Sequence, residues 1–274
     1  MDKITVTHCQ KAINKWYKSL KHYKLLNNYT KTIFKYGISL GMIKDNPVTR
    51  VTVPVKKDTV MEDIASNFYS KEELQEFFEC LKKEDNLKQL VMFRVLAFTG
   101  ARKGESLALT WKDINFEQNT ITINKTLTRG LENKLIIQTP KTATSRRVIA
   151  IDEETSSLLK QWRKQQKSDY FKLGFNTMNP KQLVFSNLKN DFIQPPKVGQ
   201  KLDRIISKYE LKRITVHGFR HTHCSILFEA GATIKEVQDR LGHSDIQTTM
   251  NIYAHVTEKA KEKTADKFAK YVNF

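Results

Sequence analysis

A stretch of nine residues, HGFRHTHCS at positions 217–225, places three of the chain's seven histidines beside an arginine. If the stretch is helical, His217 and Arg220 lie one turn apart, so both side chains can face the same point. A planar guanidinium binds a phosphate group through two parallel hydrogen bonds. The pair therefore favours a site that binds phosphate.

A metal site is the alternative interpretation of the same stretch. His217 and His221 stand at i, i+4 and His223 is close, but on one helix His223 points away from the other two. Catalytic zinc sites usually combine three ligands, often with a carboxylate or thiolate among them. The nearest carboxylates in sequence are Glu210 and Glu229. We therefore expect neither a metal ion nor another cofactor.

Further residues of suitable chemistry are spread over the rest of the chain. Arg102 lies in TGARKGE with Glu105 one turn later, and Lys141 lies at a predicted hairpin tip in TPKTATSRR. His243 stands in LGHSD, between two predicted helices, and Tyr253 follows in NIYAHV. Taken singly, each has an ordinary explanation, such as a local helix ion pair, a solvated lysine, a helix cap or a packed aromatic ring.

The charge of the chain points to a polyanionic partner. Lysine and arginine total 47 against 29 acidic residues, which gives a net charge of +18. Basic side chains gain free energy at phosphates by releasing condensed counterions, and an anionic membrane surface is the alternative target. Residues 1–57 alone carry +10 of the excess. The sequence thus predicts an electrostatic clamp for a polyanion in this segment, formed by Lys15, Lys18, Lys24, Lys31 and Lys35.

Composition also limits the environment of the protein. No apolar run approaches the roughly 18 residues needed to cross a bilayer, and no signal segment opens the chain. Cys9, Cys80 and Cys224 are far apart and form no CxxC pair, which is typical of reduced thiols. These features predict a cytoplasmic protein without a membrane partner.

The elements that must position these residues begin with two helices. Helical spacing of apolar residues predicts helices over 7–20 and 29–40, and the Asn46-Pro47 pair interrupts the chain soon afterwards. Two helices make a thin domain, so we expect residues 1–57 to be part of a larger helical unit. The predicted packed faces consist of Cys9, Ile13, Trp16, Tyr17 and Leu20 in the first helix and Tyr29, Ile33, Tyr36 and Leu40 in the second.

The rest of the chain combines helices with a small antiparallel sheet. A capping box at Ser70 opens one helix, and the next, apolar on nearly all sides, ends at Gly100. The alternating segments TITINKTL and RRVIAI predict strands of one sheet, with a hairpin near Thr139–Ser145. Helices then return at about 153–168, 196–209, 218–230, 234–241, 245–254 and 257–271, with capping boxes at Thr233 and Ser244.

Five motifs, TGARKGE, TPKTATSRR, HGFRHTH, LGHSD and NIYAHV, occur in the order and approximate spacing found in the tyrosine recombinases, also called phage integrases. The chain resembles this family from about residue 68 to Tyr253. The resemblance implies a mainly α fold with a small antiparallel β-sheet. It also implies a partial helical core-binding, DNA-binding domain at 1–57, a linker at 58–67 and a catalytic recombinase domain with a C-terminal helix at 68–274.

The resemblance implies site-specific DNA cleavage and rejoining for a mobile element, without metal or ATP. Tyr253 would attack the scissile phosphorus and form a 3′-phosphotyrosyl bond. Arg102 and Arg220 would hold the non-bridging oxygens and stabilise the charge that builds up on them. Lys141 would protonate the leaving 5′-oxygen, and His217 would assist proton transfer at Tyr253.

Other residues of the motifs would support these groups. His243 would donate a hydrogen bond to the phosphate, and Glu105 would orient His217 or Arg102. His221 and His223 are interpreted as structural or supporting residues. Three more side chains are predicted to pack in the interior: Phe219, Cys224 and Ile226.

The family resemblance also implies a homo-oligomer on double-stranded DNA, with a dimer on one attachment site and a tetramer in the synapse. The amphipathic segment after Tyr253 would dock either on a neighbouring protomer or on its own domain. Nothing in the sequence resembles the arm-binding domain of many integrases, and the core-binding domain looks short. We therefore expect a fragment or a naturally shortened form.

Three rival functions remain open at the level of sequence. The segment ATIKEVQDRLGHSDIQTTMNIYAHV is compatible with a helix-turn-helix in a DNA-binding protein without activity. That interpretation leaves Arg102, Lys141 and the 217–220 pair unexplained. The others are a metal-dependent nuclease that uses the histidines and a type IB topoisomerase with the same chemistry.

Overall fold

The computed structural model of this chain describes residues 3–55, 67–139, 146–242, 249–250 and 252. The chain forms two compact units, Met1–Val60 and Met61–Phe274. Each has its own packed interior. Within the described parts, no helix is long and apolar enough to cross a membrane.

The first unit contains the two predicted helices, α1 (Val6–Ser19) and α2 (Tyr23–Ser39), followed by a 3-10 helix at Pro47–Arg50. Thr5 caps α1, since its hydroxyl accepts a hydrogen bond from the His8 amide at 3.3 Å. The α2 helix begins earlier than predicted because no glycine or proline interrupts its first turns.

The packed face of α2 differs from the predicted one. The predicted residues Tyr29, Ile33, Tyr36 and Leu40 are each more than half exposed, so this prediction was wrong. The chain after α2 folds back over another side of the helix, where the Asn46 amide donates to the Lys31 carbonyl at 3.0 Å. The residues of α2 that are buried instead are Tyr23, Asn27, Phe34 and Gly37.

The described part of the second unit begins with three helices: α3 (Lys71–Lys82), α4 (Leu87–Thr99) and α5 (Lys103–Ala108). The predicted capping box of α3 is confirmed by the Glu73 amide, which donates to the Ser70 hydroxyl at 3.2 Å. As predicted, α4 is buried on nearly all sides. It ends at Gly100, whose φ of +63° lies in the left-handed region that favours glycine.

Among the described residues, five short strands form two antiparallel sheets. Strands β1 (Ile114–Asn115), β2 (Thr120–Ile123) and β5 (Arg147–Ala150) make one sheet in the order β1-β2-β5. Strands β3 (Thr126–Arg129) and β4 (Leu135–Gln138) make the other. The predicted class, mainly α with small antiparallel β structure, is confirmed.

The single strand predicted for TITINKTL is divided into β2 and β3. Lys125 separates them because its ammonium group forms an ion pair with the buried carboxylate of Asp113 and donates to the Thr110 hydroxyl at 3.3 Å. The predicted hairpin between β4 and β5 lies, apart from Thr139, outside the described residues. Its two flanking strands pair with β3 and β2 respectively, rather than with each other.

Four more helices complete the described fold: α6 (Glu153–Lys172), α7 (Pro195–Tyr209), α8 (Gly218–Glu229) and α9 (Ile234–Leu241). Their predicted positions are confirmed, with α6 longer than expected. The capping box at Thr233 is also confirmed. The helix predicted at 257–271, most of that at 245–254, and Ser244 lie outside the described residues.

Candidate active site

Arg220 lies on α8 in the interior of the second unit, with 2% of the residue exposed. Its two terminal nitrogens donate hydrogen bonds to the carbonyl oxygens of Gly100 and Leu241, each at 2.7 Å. These carbonyls belong to the turns that follow α4 and α9. One guanidinium therefore joins both turns through two neutral carbonyls.

Arg102 extends from the first of these turns, directly before α5. One terminal nitrogen donates to Glu105 at 2.9 Å and the other to the Gly242 carbonyl at 3.4 Å. The Arg102 guanidinium thus contacts the second turn, at the residue next to the Leu241 carbonyl that binds Arg220. Because the Arg102 side chain is 39% exposed, Arg102 presents its charge to solvent while Arg220 lies beneath.

Glu105 is a buried carboxylate held between two arginines. Besides Arg102, it accepts hydrogen bonds from Arg147 of β5, at 2.8 Å on Oε2 and 3.3 Å on Oε1. Burial alone would raise the pKa of Glu105, but the hydrogen bond and charge of Arg147, helped by Arg102, hold that pKa below its usual value. The group is therefore a carboxylate at neutral pH.

Positive charge dominates the floor of the site. Burial, followed by the charges of Arg102 and Arg147, lowers the pKa of Arg220 to about 9, so Arg220 remains protonated at neutral pH. Two guanidiniums, those of Arg102 and Arg147, pair with the Glu105 carboxylate, and the charge of Arg220 lies close enough to interact with it. Such an excess of fixed positive charge suits a dianionic or developing negative charge.

His217 lies directly before α8, and its ring packs edge-to-face on His221 with 4.8 Å between the ring centroids. Burial, then His221, Arg220 and Arg102, lower the pKa of His217 to about 4. Burial and Arg220 also lower the pKa of His221, whose buried Nδ1 has no hydrogen-bond partner among the residues that the structure describes. His217 is therefore neutral at physiological pH and can accept a proton.

His223 has a structural position, as expected. Its Nδ1 lies 2.8 Å from the Ala97 carbonyl oxygen, and Arg240 donates to its Nε2 at 2.9 Å. Nδ1 therefore carries the proton. Arg240 also donates to the carbonyls of Phe98 and Ala150, each at 3.1 Å. These contacts fasten the end of α4, from which Arg102 emerges, to α8 and α9.

An open cleft of about 910 Å³ lies in front of these groups. Arg102, Glu105 and His217 line it, so three of the predicted site residues share one cavity. Polar residues of β3, β4 and the loop before α8 extend the lining. They are Thr126, Thr128, Gln138, Thr139, Arg213 and Thr215.

Close backbone approaches fix the Arg102 segment. A side chain at Gly104 would place its Cβ 2.6 Å from the Thr126 hydroxyl oxygen and 2.7 Å from the Leu127 carbonyl oxygen. A Cβ at Gly100 would lie 2.4 Å from a methyl group of Leu241. Glycine at these two positions lets α5 pack against β3 and lets the two turns meet.

Three predicted site residues, Lys141, His243 and Tyr253, lie outside the described residues. Their neighbours in the chain are described. Thr139 lines the cleft, and the Gly242 carbonyl binds Arg102. Ile252 is 2% exposed and belongs to an apolar cluster with Cys224 of α8 and Leu241 of α9.

The other predicted interior residues of the 217–225 stretch behave largely as expected. Phe219 and Cys224 are fully buried, which confirms both predictions, and burial raises the pKa of the Cys224 thiol to about 12. Ile226 is partly buried. Within the described parts of the chain, no three His, Cys, Asp or Glu side chains are grouped so that they could hold a metal ion.

Sequence reasoning did not identify Arg147 and Arg240. The alternation within β5 contains a signal for the first, because Arg147 and Ile149 occupy the same, inward-facing side of the strand. An arginine at an inward position needs a buried partner. No comparable pattern marks Arg240, which lies in the last turn of α9.

The five lysines predicted to contact DNA are all exposed on the helices of the first unit. On α2, helical geometry places Lys24, Lys31 and Lys35 on one side, away from the exposed stripe that contains Tyr29 and Ile33. The unit thus separates a basic face from an apolar one.

A buried and a partly exposed arginine, a neutral histidine and an open polar cleft together define a site for an anionic group in a mainly helical protein. Residues 67–260 match the phage integrase family. The chain belongs to this family: it is a tyrosine recombinase of the type found in phages and conjugative transposons, an enzyme that cleaves and rejoins DNA at specific sites.

Individual relatives agree with this assignment. The chain is 33% identical over 273 residues to a tyrosine recombinase XerC-like protein of Caldanaerobacter subterraneus subsp. tengcongensis, covering 94% of this chain and 68% of the relative. It is 28% identical to the integrase of Staphylococcus phage L54a, covering 99% and 81%. It is 29% identical to the Tn916 transposase of Enterococcus faecalis, covering 86% and 59%.

Solved structures show the same fold. The Tn1549 transposon integrase, in complex with transposon right end DNA, superposes with a TM-score of 0.78 at 24% identity and covers 98% of this chain and 86% of that one. The XerH site-specific recombinase, bound to a palindromic substrate, gives a TM-score of 0.65 at 19% identity, covering 98% and 73%.

Proposed function

We propose that this chain cleaves double-stranded DNA at an attachment-site core sequence of a mobile element, with Arg102, Lys141, His217, Arg220, His243 and Tyr253 as its catalytic residues. The observation that carries the proposal is the convergence of Arg102 and Arg220 on adjacent carbonyls of the turn after α9, beside a neutral His217. A scissile phosphate in front of Arg102 occupies the open cleft, and Arg220 adds positive charge from below.

In the proposed cleavage step, a bond forms between the Tyr253 phenolic oxygen and phosphorus while the bond to the 5′-oxygen breaks. The phenolic proton passes to His217, whose pKa is held low enough that the ring is neutral beforehand. Lys141 gives its proton to the departing 5′-oxygen, and His243 donates a hydrogen bond to the phosphate. Rejoining is the reverse of this step with a new 5′-hydroxyl.

The residues next to the three undescribed groups support this assignment. Ile252 packs against α8 and α9, so the chain returns to the helix that carries Arg220 one residue before Tyr253. Gly242, the neighbour of His243, binds Arg102, and Thr139 lines the cleft two residues before Lys141. No cofactor enters the step, because the phosphotyrosyl bond retains the free energy of the phosphodiester.

We assign DNA binding outside the cleft to residues 1–57 as a core-binding domain, joined by a linker at 58–67 to the catalytic domain at 68–274. The exposed lysines of α1 and α2 supply the positive charge for this role. The solved relatives include complexes with DNA and a lambda integrase dimer bound to a core site. By analogy, this chain acts in the cytoplasm as a dimer on one site and a tetramer in the synapse.

A covalent-capture experiment tests the proposal. The protein is incubated in EDTA with nicked duplexes that have a randomised core, and protein–DNA adducts are isolated and sequenced. We expect an adduct that is lost in Tyr253→Phe and retained in Tyr209→Phe, whose hydroxyl donates to Glu84 at 3.0 Å. The recovered duplex then serves as substrate.

Each rival function gives a different outcome in the same experiment. Binding without an adduct would identify a DNA-binding protein without activity, and cleavage only after adding a divalent metal would identify a nuclease. A protein that forms the adduct and relaxes supercoiled DNA, but does not join two separate duplexes, would be identified as a topoisomerase. Each of these three results contradicts the proposal.

A further inference from the structure

We propose that Arg147 is a positioning residue for the cleavage step and acts on Arg102 through the carboxylate of Glu105. The inference rests on the proposed function and extends it to a residue outside the catalytic set named above. Arg147 does not line the cleft and its side chain is only 5% exposed. It therefore acts through the residue that it holds.

The hydrogen bonds around Glu105 show how this coupling works. Oε2 accepts from Arg147 at 2.8 Å and from the backbone amide of Arg102 at 2.8 Å. Oε1 accepts from the Arg102 guanidinium at 2.9 Å and from Arg147 at 3.3 Å. Each oxygen is thus shared by the two arginines, so any rotation of the carboxylate changes the position of Arg102.

Sharing the carboxylate also preserves the charge of the site. A carboxylate paired with Arg102 alone would neutralise the guanidinium that faces the phosphate. With Arg147 as a second partner, the three side chains carry one excess positive charge behind the cleft. Fixed charge of this kind stabilises the negative charge that develops in the transition state.

Arg147 also forms a hydrogen bond next to the turn after α9, which binds Arg102 and Arg220. Its Nε donates to the Arg240 carbonyl at 2.9 Å. The next two carbonyls in the chain, those of Leu241 and Gly242, accept hydrogen bonds from Arg220 and Arg102. Arg147 therefore fastens β5 to the turn at which both guanidiniums meet.

Arg94 provides a matched control for the burial of an arginine. Its side chain is 11% exposed, and it donates to Asp152 at 2.8 Å, with Glu154 at 2.9 Å. It lines a separate groove formed by α3, α4 and α6. A loss of general stability will affect Arg94→Gln and Arg147→Gln alike, whereas a loss of positioning will affect only the second.

The test measures single-turnover cleavage of the recovered duplex at saturating protein, together with DNA affinity and melting temperature. We expect Arg147→Gln to lower the cleavage rate by roughly 10²-fold, as a displacement of about 1 Å does in an active site, while DNA affinity stays close to that of the wild type. Arg147→Lys, which keeps the charge but not the forked geometry, should recover part of the rate. Arg94→Gln should cleave at the wild-type rate.

Two further readouts separate positioning from a structural role. In a Glu105→Gln background, the Arg147→Gln change should add little, because the path to Arg102 is already broken. On a substrate with a methylphosphonate at the scissile position, which lacks one negative charge, the Arg147→Gln and Arg147→Lys defects should shrink. If Arg147→Gln fails to fold, the Glu105→Gln background and the methylphosphonate substrate are both tested with Arg147→Lys instead.

The outcomes distinguish this inference from the proposed function. If the wild-type chain forms no adduct, the proposed function fails. If the wild type forms an adduct, the inference alone is overturned by wild-type cleavage in both Arg147 variants. Additive losses with Glu105→Gln, or equal defects on phosphate and methylphosphonate, would overturn it as well.

Discussion

Gly104 offers a direct test of how closely the Arg102 segment must approach the small β3–β4 sheet. In Gly104→Ala, the new Cβ would lie 2.7 Å from the Leu127 carbonyl oxygen, whereas ordinary contacts begin at 3.4 Å. The helix α5 would therefore have to move by about 0.7 Å relative to β3. Backbone atoms on both sides make this approach difficult to relieve.

The size of the effect follows from two opposing contributions. Alanine is favoured over glycine within a helix by about 1 kcal/mol, and overpacking costs about 1–3 kcal/mol. The free energy of unfolding should therefore decrease by up to about 2 kcal/mol. Arg102 and Glu105 flank Gly104, so the cleavage rate should fall by more than tenfold, given that a displacement of about 1 Å can cost 10²-fold.

Gly199→Ala is the matched control. Gly199 also lies within a helix and lines the same cleft, but a Cβ there meets nothing within 4 Å. Urea denaturation should show this variant to be as stable as the wild type or more stable, and it should cleave the recovered duplex at the wild-type rate. If Gly104→Ala behaves in the same way, the contact with Leu127 does not restrict the site and the reasoning is refuted.

Three further predictions follow from charge and burial. Arg220→Ala should lower the free energy of unfolding by about 3–6 kcal/mol, since each of its two carbonyl hydrogen bonds is worth roughly 1.5–3 kcal/mol. Arg102→Ala should cost less than about 1 kcal/mol because that side chain is partly exposed, and equal losses in denaturation would contradict this difference. The pKa values of His217 and His223 are lowered to about 4 and about 3 in the folded chain. As pH falls, these histidines therefore bind protons in the unfolded chain before they do in the folded chain. The free energy of unfolding should therefore decrease as pH falls from about 6.5 to about 4.5, less steeply in His217→Gln, and a flat profile would refute this. The logarithm of DNA affinity should fall linearly with the logarithm of salt concentration. Each lysine-to-glutamine change that removes a phosphate contact should flatten this slope by about 0.9. An unchanged slope would contradict the proposed electrostatic clamp. The lysines to change are Lys15, Lys18, Lys24, Lys31 and Lys35.

The helices of the second unit could be predicted because their signals are local. Capping boxes at Ser70 and Thr233 and the left-handed Gly100 mark boundaries that the structure confirms. The association of Arg102 with the 217–220 pair came from motif order, since no local pattern connects residues so far apart in sequence. The structure supplies the physical link, which is the turn after α9, where Arg102 and Arg220 bind adjacent carbonyls.

The features missed from sequence depend on contacts distant in the chain. Apolar residues occupy more than one side of α2, and only the return of the chain at Asn46 decides that Phe34 rather than Ile33 is buried. The break between β2 and β3 depends on the ion pair of Lys125 with Asp113. Neither the Asn46 contact nor the Lys125–Asp113 ion pair can be predicted from the local sequence pattern alone.

The exposed charge of Arg102 has a practical consequence for work with the free protein. Because the Arg102 side chain is 39% exposed and lines the cleft, we expect the unliganded enzyme to bind small tetrahedral oxyanions there. Sulfate or inorganic phosphate in a buffer should therefore compete with substrate for this place and raise the melting temperature of the protein. Chloride or acetate salts at matched ionic strength are the appropriate medium for kinetics, and sulfate is the better precipitant for crystals.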